Sequence, residues 1–286
     1  MFAGSFAGSV ASRFMKVLRK LVKYLLPFGV VEIMRNRRRL RELGRDVSLS
    51  DLWRSEWLVH EAEITGLALF PPGHWPRLRY VVDVGANEGQ WTNAFLDLIS
   101  PERLIMIEPG PAAFAALQKQ FGNRANIELQ NIAIGETNGV TKLRVTRDST
   151  GASLLPPREE MRELIGGNWS VEKEVECPMR TLDTLLAGLP EVSLLKIDVQ
   201  GYEKEALAGA AETLAKTKFL LIELNYMPQY VGGSWFAEIH QLLTATHGFV
   251  LVDATKPLCL NGRASMSDGL YVNQKLVPEF ARRDFV

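Results

Sequence analysis

The chain has 286 residues, 47% of them hydrophobic, and its 33 basic and 33 acidic side chains cancel. That apolar content suffices for the core of one large α/β domain, with or without an appendage, and the absence of net basicity argues against a nucleic-acid binder. With only two cysteines, Cys177 and Cys259, neither a disulfide framework nor a metal spacing is implied; both read as small buried apolar residues, and a reducing cytosol is the expected compartment.

The charge is unevenly placed. Residues 1–45 hold 11 Lys and Arg against 2 acids, so the remainder bears an acidic excess of nine. Phe14, Val17, Leu18, Leu21, Val22 and Leu25 recur at helical spacing, with Lys16, Arg19, Lys20 and Lys23 opposite them. Pro27 should interrupt this helix, and a second basic run, Arg35, Arg37, Arg38, Arg39 and Arg41, follows. No apolar run reaches the roughly 18 residues that span a bilayer, and the interleaved charges do not have the order of a signal peptide. Two readings stand: residues 10–45 lie peripherally on an anionic membrane face, or they pack as an amphipathic helix on the domain that follows. Residues 1–60 are thus expected to form a basic helical extension and residues 61–286 a cofactor-binding domain. Residues 46–78, with Trp53, Trp57 and Trp75, read as a helical lead-in and a Pro-rich loop.

Beyond it, strand and helix patterns alternate, which implies a doubly wound, mostly parallel sheet with helices on both faces. Arg79–Val84 reads as the first strand, Gly89–Leu98 as a helix, Leu104–Glu108 as the second strand, Ala112–Phe121 as a helix and Ile127–Gln130 as the third strand. The first strand carries Asp83 next to its end, and the chain then turns through Gly85, Asn87 and Gly89. A dinucleotide fingerprint needs glycine at the middle position, so that pyrophosphate can lie on bare backbone. Asn87 carries a side chain there, which favours a ligand with adenosine but no phosphate, such as S-adenosylmethionine. Glu108 stands about 20 residues past the turn, where an acid binds ribose hydroxyls. Asp83 is expected to help hold the methionyl ammonium, and Asn131, at a strand end, to meet a base edge.

Residues 140–180 depart from simple alternation, with added β segments at Thr141–Thr146 and Val171–Pro178. Between them, Ser149–Leu154 is a small-residue loop that could sit over a ligand, with Ser153 as a substrate contact. Arg158–Glu163 reads as a solvated helix face. The run Leu194-Leu195-Lys196-Ile197-Asp198-Val199-Gln200-Gly201-Tyr202-Glu203 is a second chemical cluster. Asp198 ends an apolar strand and should face the same crevice as Asp83 and Glu108. Lys196 points inward and needs an acidic partner. Lys218–Leu224 is another strand, and its Glu223 either meets substrate or pairs with Lys196. Trp235–His247 reads as a helix, Phe249–Val252 as a strand and Gly269–Asn273 as the final strand. His240 and His247 fit an exposed helix face and are assigned no chemistry.

Six motifs in this order resemble the FkbM family of S-adenosylmethionine-dependent methyltransferases, from about Tyr80 to Val272. They are Asp83–Gly89, Glu108-Pro109, Asn131–Gly135, Thr181-Leu182-Asp183, Lys196–Glu203 and Glu223. One departure is Gln200, where members often carry Glu; if that position touches substrate, the change alters acceptor choice. The resemblance implies a class I methyltransferase fold, Rossmann-like, with seven strands and an antiparallel last strand. It also implies methyl transfer to an oxygen, the acceptors being hydroxyls of sugars, glycans or glycosylated metabolites, lipid-linked ones included.

On that reading Asp83, Gly85, Asn87, Gly89, Glu108 and Asn131 bind the cofactor. Asp198 serves as base or stabilises the sulfonium, Lys196 and Glu223 orient it or the acceptor, and Ser153, Gln200 and Glu203 contact substrate. No metal is demanded, although carboxylates from different strands could hold Mg²⁺. Two other classes fit the same sheet: a nicotinamide-dependent oxidoreductase, weakened by the missing third glycine, and a membrane-associated scaffold with a relict pocket.

Overall fold

A computed structural model describes residues 65–70, 78–164, 169–227 and 229–278. The basic extension predicted over residues 1–60 lies outside the described residues.

Five parallel strands form the centre of the main sheet: β1 (Tyr80–Val84), β2 (Arg103–Ile107), β3 (Ile127–Gln130), β7 (Val192–Ile197) and β8 (Thr217–Asn225). Their order is β3-β2-β1-β7-β8, followed by β11 (Arg263–Asn273), which runs antiparallel to β8. Strands β9 (Phe249–Ala254) and β10 (Leu258–Leu260) share the outer edge of β11. This is the doubly wound sheet expected, with a short eighth strand, β10, that the pattern did not announce. β11 also begins six residues earlier than its apolar run suggested, because polar Arg263–Asp268 finds ladder partners on β8 and β10.

The chain moves outward from β1 to β3 and returns to β7 on the other side. β1 and β7 therefore flank a topological switch point, where such sheets open a crevice beyond their carboxyl ends. Alternation along the strands separates two faces. Val82, Val84, Ile105, Ile107, Leu195, Ile197, Leu220 and Ile222 bury one face together with α4 (Leu182–Leu185), α5 (Glu203–Ala208), α6 (Ala211–Ala215) and α7 (Phe236–Gln241). On the opposite face α1 (Gln90–Leu98) buries Phe95 and Leu98, and α2 (Pro111–Phe121) sets Phe121 and Leu117 against Gly89.

Between β3 and β7, β4 (Ala133–Ile134), β5 (Gly139–Thr146) and β6 (Val171–Arg180) form a separate three-stranded sheet. Ala133, Leu143, Cys177 and Met179 make its small core, with Ala152 and Leu154 packed on it. The added β segments predicted here are real. The charged stretch between them is the helix α3 (Glu159–Leu164), anchored by buried Met161.

Three smaller expectations change. The helix read over 235–247 is α7 followed by a π-helical turn at Leu242–Thr246. His240 is half-buried rather than exposed, its Nδ1 lying 3.1 Å from the Tyr271 hydroxyl. Cys177 is buried as expected, whereas Cys259 is exposed on edge strand β10, where no layer covers it. Among the described residues no helix is long and apolar enough to cross a membrane.

Candidate active site

The crevice beyond β1, β2 and β7 is a cleft of about 300 Å³. Its floor comes from Gly85, Asn87, Glu108, Lys196 and Asp198. Leu143, Ser149, Thr150, Ala152, Ser153 and Leu154 close it from the small sheet.

Register explains the centre. β1 and β7 pair Asp83 directly with Lys196 on the same face. Asp83 is wholly buried; its Oδ2 accepts a 2.7 Å bond from Thr92 Oγ1 of α1. Its Oδ1 makes no well-angled hydrogen bond but lies 3.1 Å from Lys196 Nζ, a close ionic contact. The same ammonium donates to Gly85 O at 3.1 Å and stands 3.5 Å from Asp198 Oδ2. Burial alone would lower the Lys196 pKa, but the carboxylates of Asp83 and Asp198 outweigh it and raise it. With one carbonyl and two carboxylates around its ammonium, Lys196 fastens the two central strand ends.

Gly85 shows why the turn is tight. Its φ is 77°, and a Cβ there would sit 1.7 Å from the Asp198 carbonyl oxygen. Asn87 adopts φ 47°, and its amide donates to Glu108 Oε2 at 2.8 Å. Gly110 N donates to Glu108 Oε1 at 2.7 Å. Each Glu108 oxygen therefore has a lone pair left, on a cleft-lining carboxyl that burial pushes up to about 7 despite the two backbone bonds. A buried acid with two unfilled acceptor sites matches a vicinal diol. A side chain at Asn87 does not match a pyrophosphate, which needs bare backbone there. The donor set fits S-adenosylmethionine, with Glu108 on the ribose and the Gly85–Asn87 turn beside it.

Asp198 lies just past β7, its side chain one-third exposed to the cleft. Its Oδ1 accepts from Gln200 Nε2 at 2.7 Å. Ser153, predicted as a substrate contact, lines the cleft, but its hydroxyl donates to Gln200 O at 2.7 Å. Gln200 lines the cleft too, with its amide turned to protein partners.

Five predicted site residues stand away from the cleft lining. Asp83 lies beneath it, wholly buried, with its Oδ1 3.1 Å from Lys196 Nζ. Gly89 caps α1 at φ 89°, where a Cβ would meet Phe121 at 2.6 Å. The Asn131 amide donates to the carbonyls of Glu108 and Pro109 at 2.8 and 3.2 Å, so it fixes the Glu108 turn rather than reaching a base. Glu203 is wholly buried and accepts from Val199 N and Gly201 N, bracing the Asp198 loop instead of touching substrate. Glu223 lies behind Gln200 and pairs with Asn225 at 2.9 Å and Gln200 at 3.4 Å, not with Lys196.

Sequence reading passed over Trp91, which lines the cleft and packs its ring 6.0 Å from Lys196 Nζ, and Tyr202, whose hydroxyl donates to Glu136 at 3.1 Å. Asp268 was also missed: it faces Glu223 across the β8–β11 ladder. Burial and neighbouring Asp198 push Asp268 up to about 6, and burial with the same neighbour pushes Glu203 up to about 7 and raises Glu223 well above the carboxylate range. Among the described residues no cluster of His, Cys, Asp and Glu is arranged to hold a metal ion.

Comparison with known proteins adds an independent line. Residues 83–251 match the model of the methyltransferase FkbM domain. A 2-O-methyltransferase, NoeI, of Sinorhizobium fredii is 29% identical over 53% of this chain and 65% of its own length. The 31-O-demethyl-FK506 methyltransferase FkbM of Streptomyces tacrolimicus is 28% identical over 62% of this chain and 75% of its own. An ornithine lipid N-methyltransferase of Singulisphaera acidiphila is 28% identical over 39% of this chain and 59% of its own. The chain thus spans less than two thirds of the length of the first and the last of these.

Proposed function

The chain belongs to the FkbM family of S-adenosylmethionine-dependent methyltransferases, and from that premise we propose that it transfers a methyl group to a hydroxyl oxygen of a sugar, glycan or glycosylated metabolite. The observation that carries the reading is the placement of two carboxyls at one cleft: Glu108, with two vacant acceptor sites, and Asp198, exposed at the neighbouring strand end. S-adenosylmethionine, when bound, supplies a methyl group already activated on a sulfonium. Glu108 accepts from its ribose hydroxyls, and Trp91, Val84 and Ile132 provide apolar wall. Asp198 accepts the proton that the acceptor hydroxyl loses, through whichever oxygen lone pairs Gln200 and Lys196 leave open. Leu143, Leu154 and the Ser149–Ser153 loop exclude water from the reacting centre.

The named relatives include enzymes acting on oxygen and one acting on nitrogen. Oxygen is favoured here because an alcohol requires a base such as Asp198, whereas a neutral amine attacks without one. Tritium-labelled S-adenosylmethionine is incubated with methyl glycosides, oligosaccharides and an ornithine lipid. Transfer to a glycoside and its loss in Asp198→Asn, with S-adenosylhomocysteine binding kept within a few-fold, is the expected result. Transfer only to the amine, or full turnover in Asp198→Asn, refutes the assignment.

A further inference from the structure

The turn after Asp198 contains an unusual arrangement. Gln200 is one of three non-glycine residues with positive φ among the described residues, at 55°. Such a backbone is uncommon outside glycine and persists where surroundings hold it. Its backbone carbonyl accepts from Ser153 Oγ at 2.7 Å, and the adjoining Gly201 presses on the Tyr230 ring, where a Cβ would lie 2.8 Å away. The side chain is held at both ends. Nε2 donates to Asp198 Oδ1 at 2.7 Å and to Glu223 Oε2 at 3.4 Å, while Oε1 accepts from the Tyr230 hydroxyl at 2.9 Å. Tyr230 is buried, stacks on Trp169 at 5.4 Å and also lies 3.2 Å from Gly151 O.

An amide between two carboxyls has one favourable orientation: the NH₂ faces the acids and the carbonyl faces the hydroxyl. A carboxylate in its place would stand between Asp198 of its own turn and Glu223 of β8, on which Glu203 and Asp268 already act. Among the described residues Lys196 is the cation that contacts the set, and it lies against Asp83 and Asp198.

We propose that Gln200 is a positioning residue: its carboxamide, oriented by Tyr230, holds Asp198 toward the cleft and separates it electrostatically from Glu223. The titratable groups facing it are Asp198 on its own turn, Glu223 from β8 and the Tyr230 hydroxyl, with Lys196, Glu203 and Asp268 next to those. This rests on the assignment of Asp198 to the reacting centre. It also makes Gln200 a determinant of the acid's state rather than a substrate contact.

The test exchanges donor and acceptor and needs no methyl acceptor. Unfolding midpoints of the full chain are measured from pH 5.5 to 8.5 for the unsubstituted protein, Gln200→Glu, Asp198→Asn and the double variant, with S-adenosylhomocysteine titration as the check on folding. Gln200→Glu should lower the midpoint by roughly 5 °C at pH 8.5 and by much less at pH 5.5, where a protonated carboxyl can donate as the amide does. Adding Asp198→Asn restores an amide–carboxylate pair and should recover most of that loss. Tyr230→Phe, which keeps the ring, should lower the midpoint by a few degrees and add little to Gln200→Glu. A pH-independent loss, or simple additivity of Gln200→Glu and Asp198→Asn, overturns the proposal. A working clamp together with full methyl transfer by Asp198→Asn overturns the reactive role of Asp198, and the positioning role with it.

Discussion

Glu108 offers the most quantitative check on the cofactor assignment. Its carboxyl is pushed up to about 7 by burial, against a usual value of 4.5, so the free protein holds that proton through mildly acidic pH. A carboxylate accepting from two ribose hydroxyls must be ionised, because its backbone bonds to Asn87 N and Gly110 N already use one acceptor site on each oxygen. With the midpoint near 7, about one tenth of the protein is competent at pH 6 and about nine tenths at pH 8. Affinity for S-adenosylhomocysteine should therefore rise about tenfold over that interval, or roughly 1.4 kcal/mol. Calorimetric titration in two buffers of different ionisation enthalpy should show release of nearly one proton per ligand at pH 6 and almost none at pH 8. Glu108→Gln should weaken binding by at least tenfold and abolish the pH dependence, since its NH₂ must confront one of the backbone donors. Equal affinity at pH 6 and pH 8, without proton release, would refute the role assigned to Glu108.

Three further outcomes follow from the same geometry. Lys196→Met removes the cation that contacts both Asp83 and Asp198 and should destabilise by about 3–5 kcal/mol, read by denaturant unfolding, because the wholly buried Asp83 loses its ionic partner. Gly85→Ala forces a Cβ onto the Asp198 carbonyl at a left-handed φ and should cost about 3 kcal/mol or more while weakening cofactor binding; unchanged stability would mean the turn relaxes easily. Glu203 and Asp268 have values raised above those of the unfolded chain, to about 7 and about 6. Their stabilising contribution is full below the unfolded values near 4 and is lost as pH rises through 6 to 7, so the thermal midpoint of the free protein should fall from pH 5 to pH 8.

The parts legible in the sequence are those that short-range rules encode. Apolar runs ending in Asp83, Glu108 and Asp198 marked strand ends, and a doubly wound sheet brings strand ends to one crevice. Lys196 between Leu195 and Ile197 had to point inward, and an inward lysine needs an acid; Asp83, its partner, was named for the cofactor instead. Alternation places Asp83 on the same face as Lys196, and a correct guess that β1 and β7 are neighbours would have paired them in advance.

The misplaced residues share a different cause. Asn131, Glu203 and Glu223 are polar groups next to functional turns, which one-dimensional reading treats as ligand contacts. Each instead satisfies a neighbouring donor or acceptor of the protein: the carbonyls of Glu108 and Pro109, the backbone amides of Val199 and Gly201, the side-chain amide of Asn225. A crevice of acids at strand ends creates this need, since every exposed carboxyl there must be held against its neighbours' charge. Tyr230, 30 residues beyond Gln200 in sequence, carries no motif and was invisible for that reason. The chemistry of Asp198 thus depends on a second circle of polar groups whose positions only the tertiary fold supplies, and substitutions in that circle are expected to change the pH behaviour of the site before they abolish it.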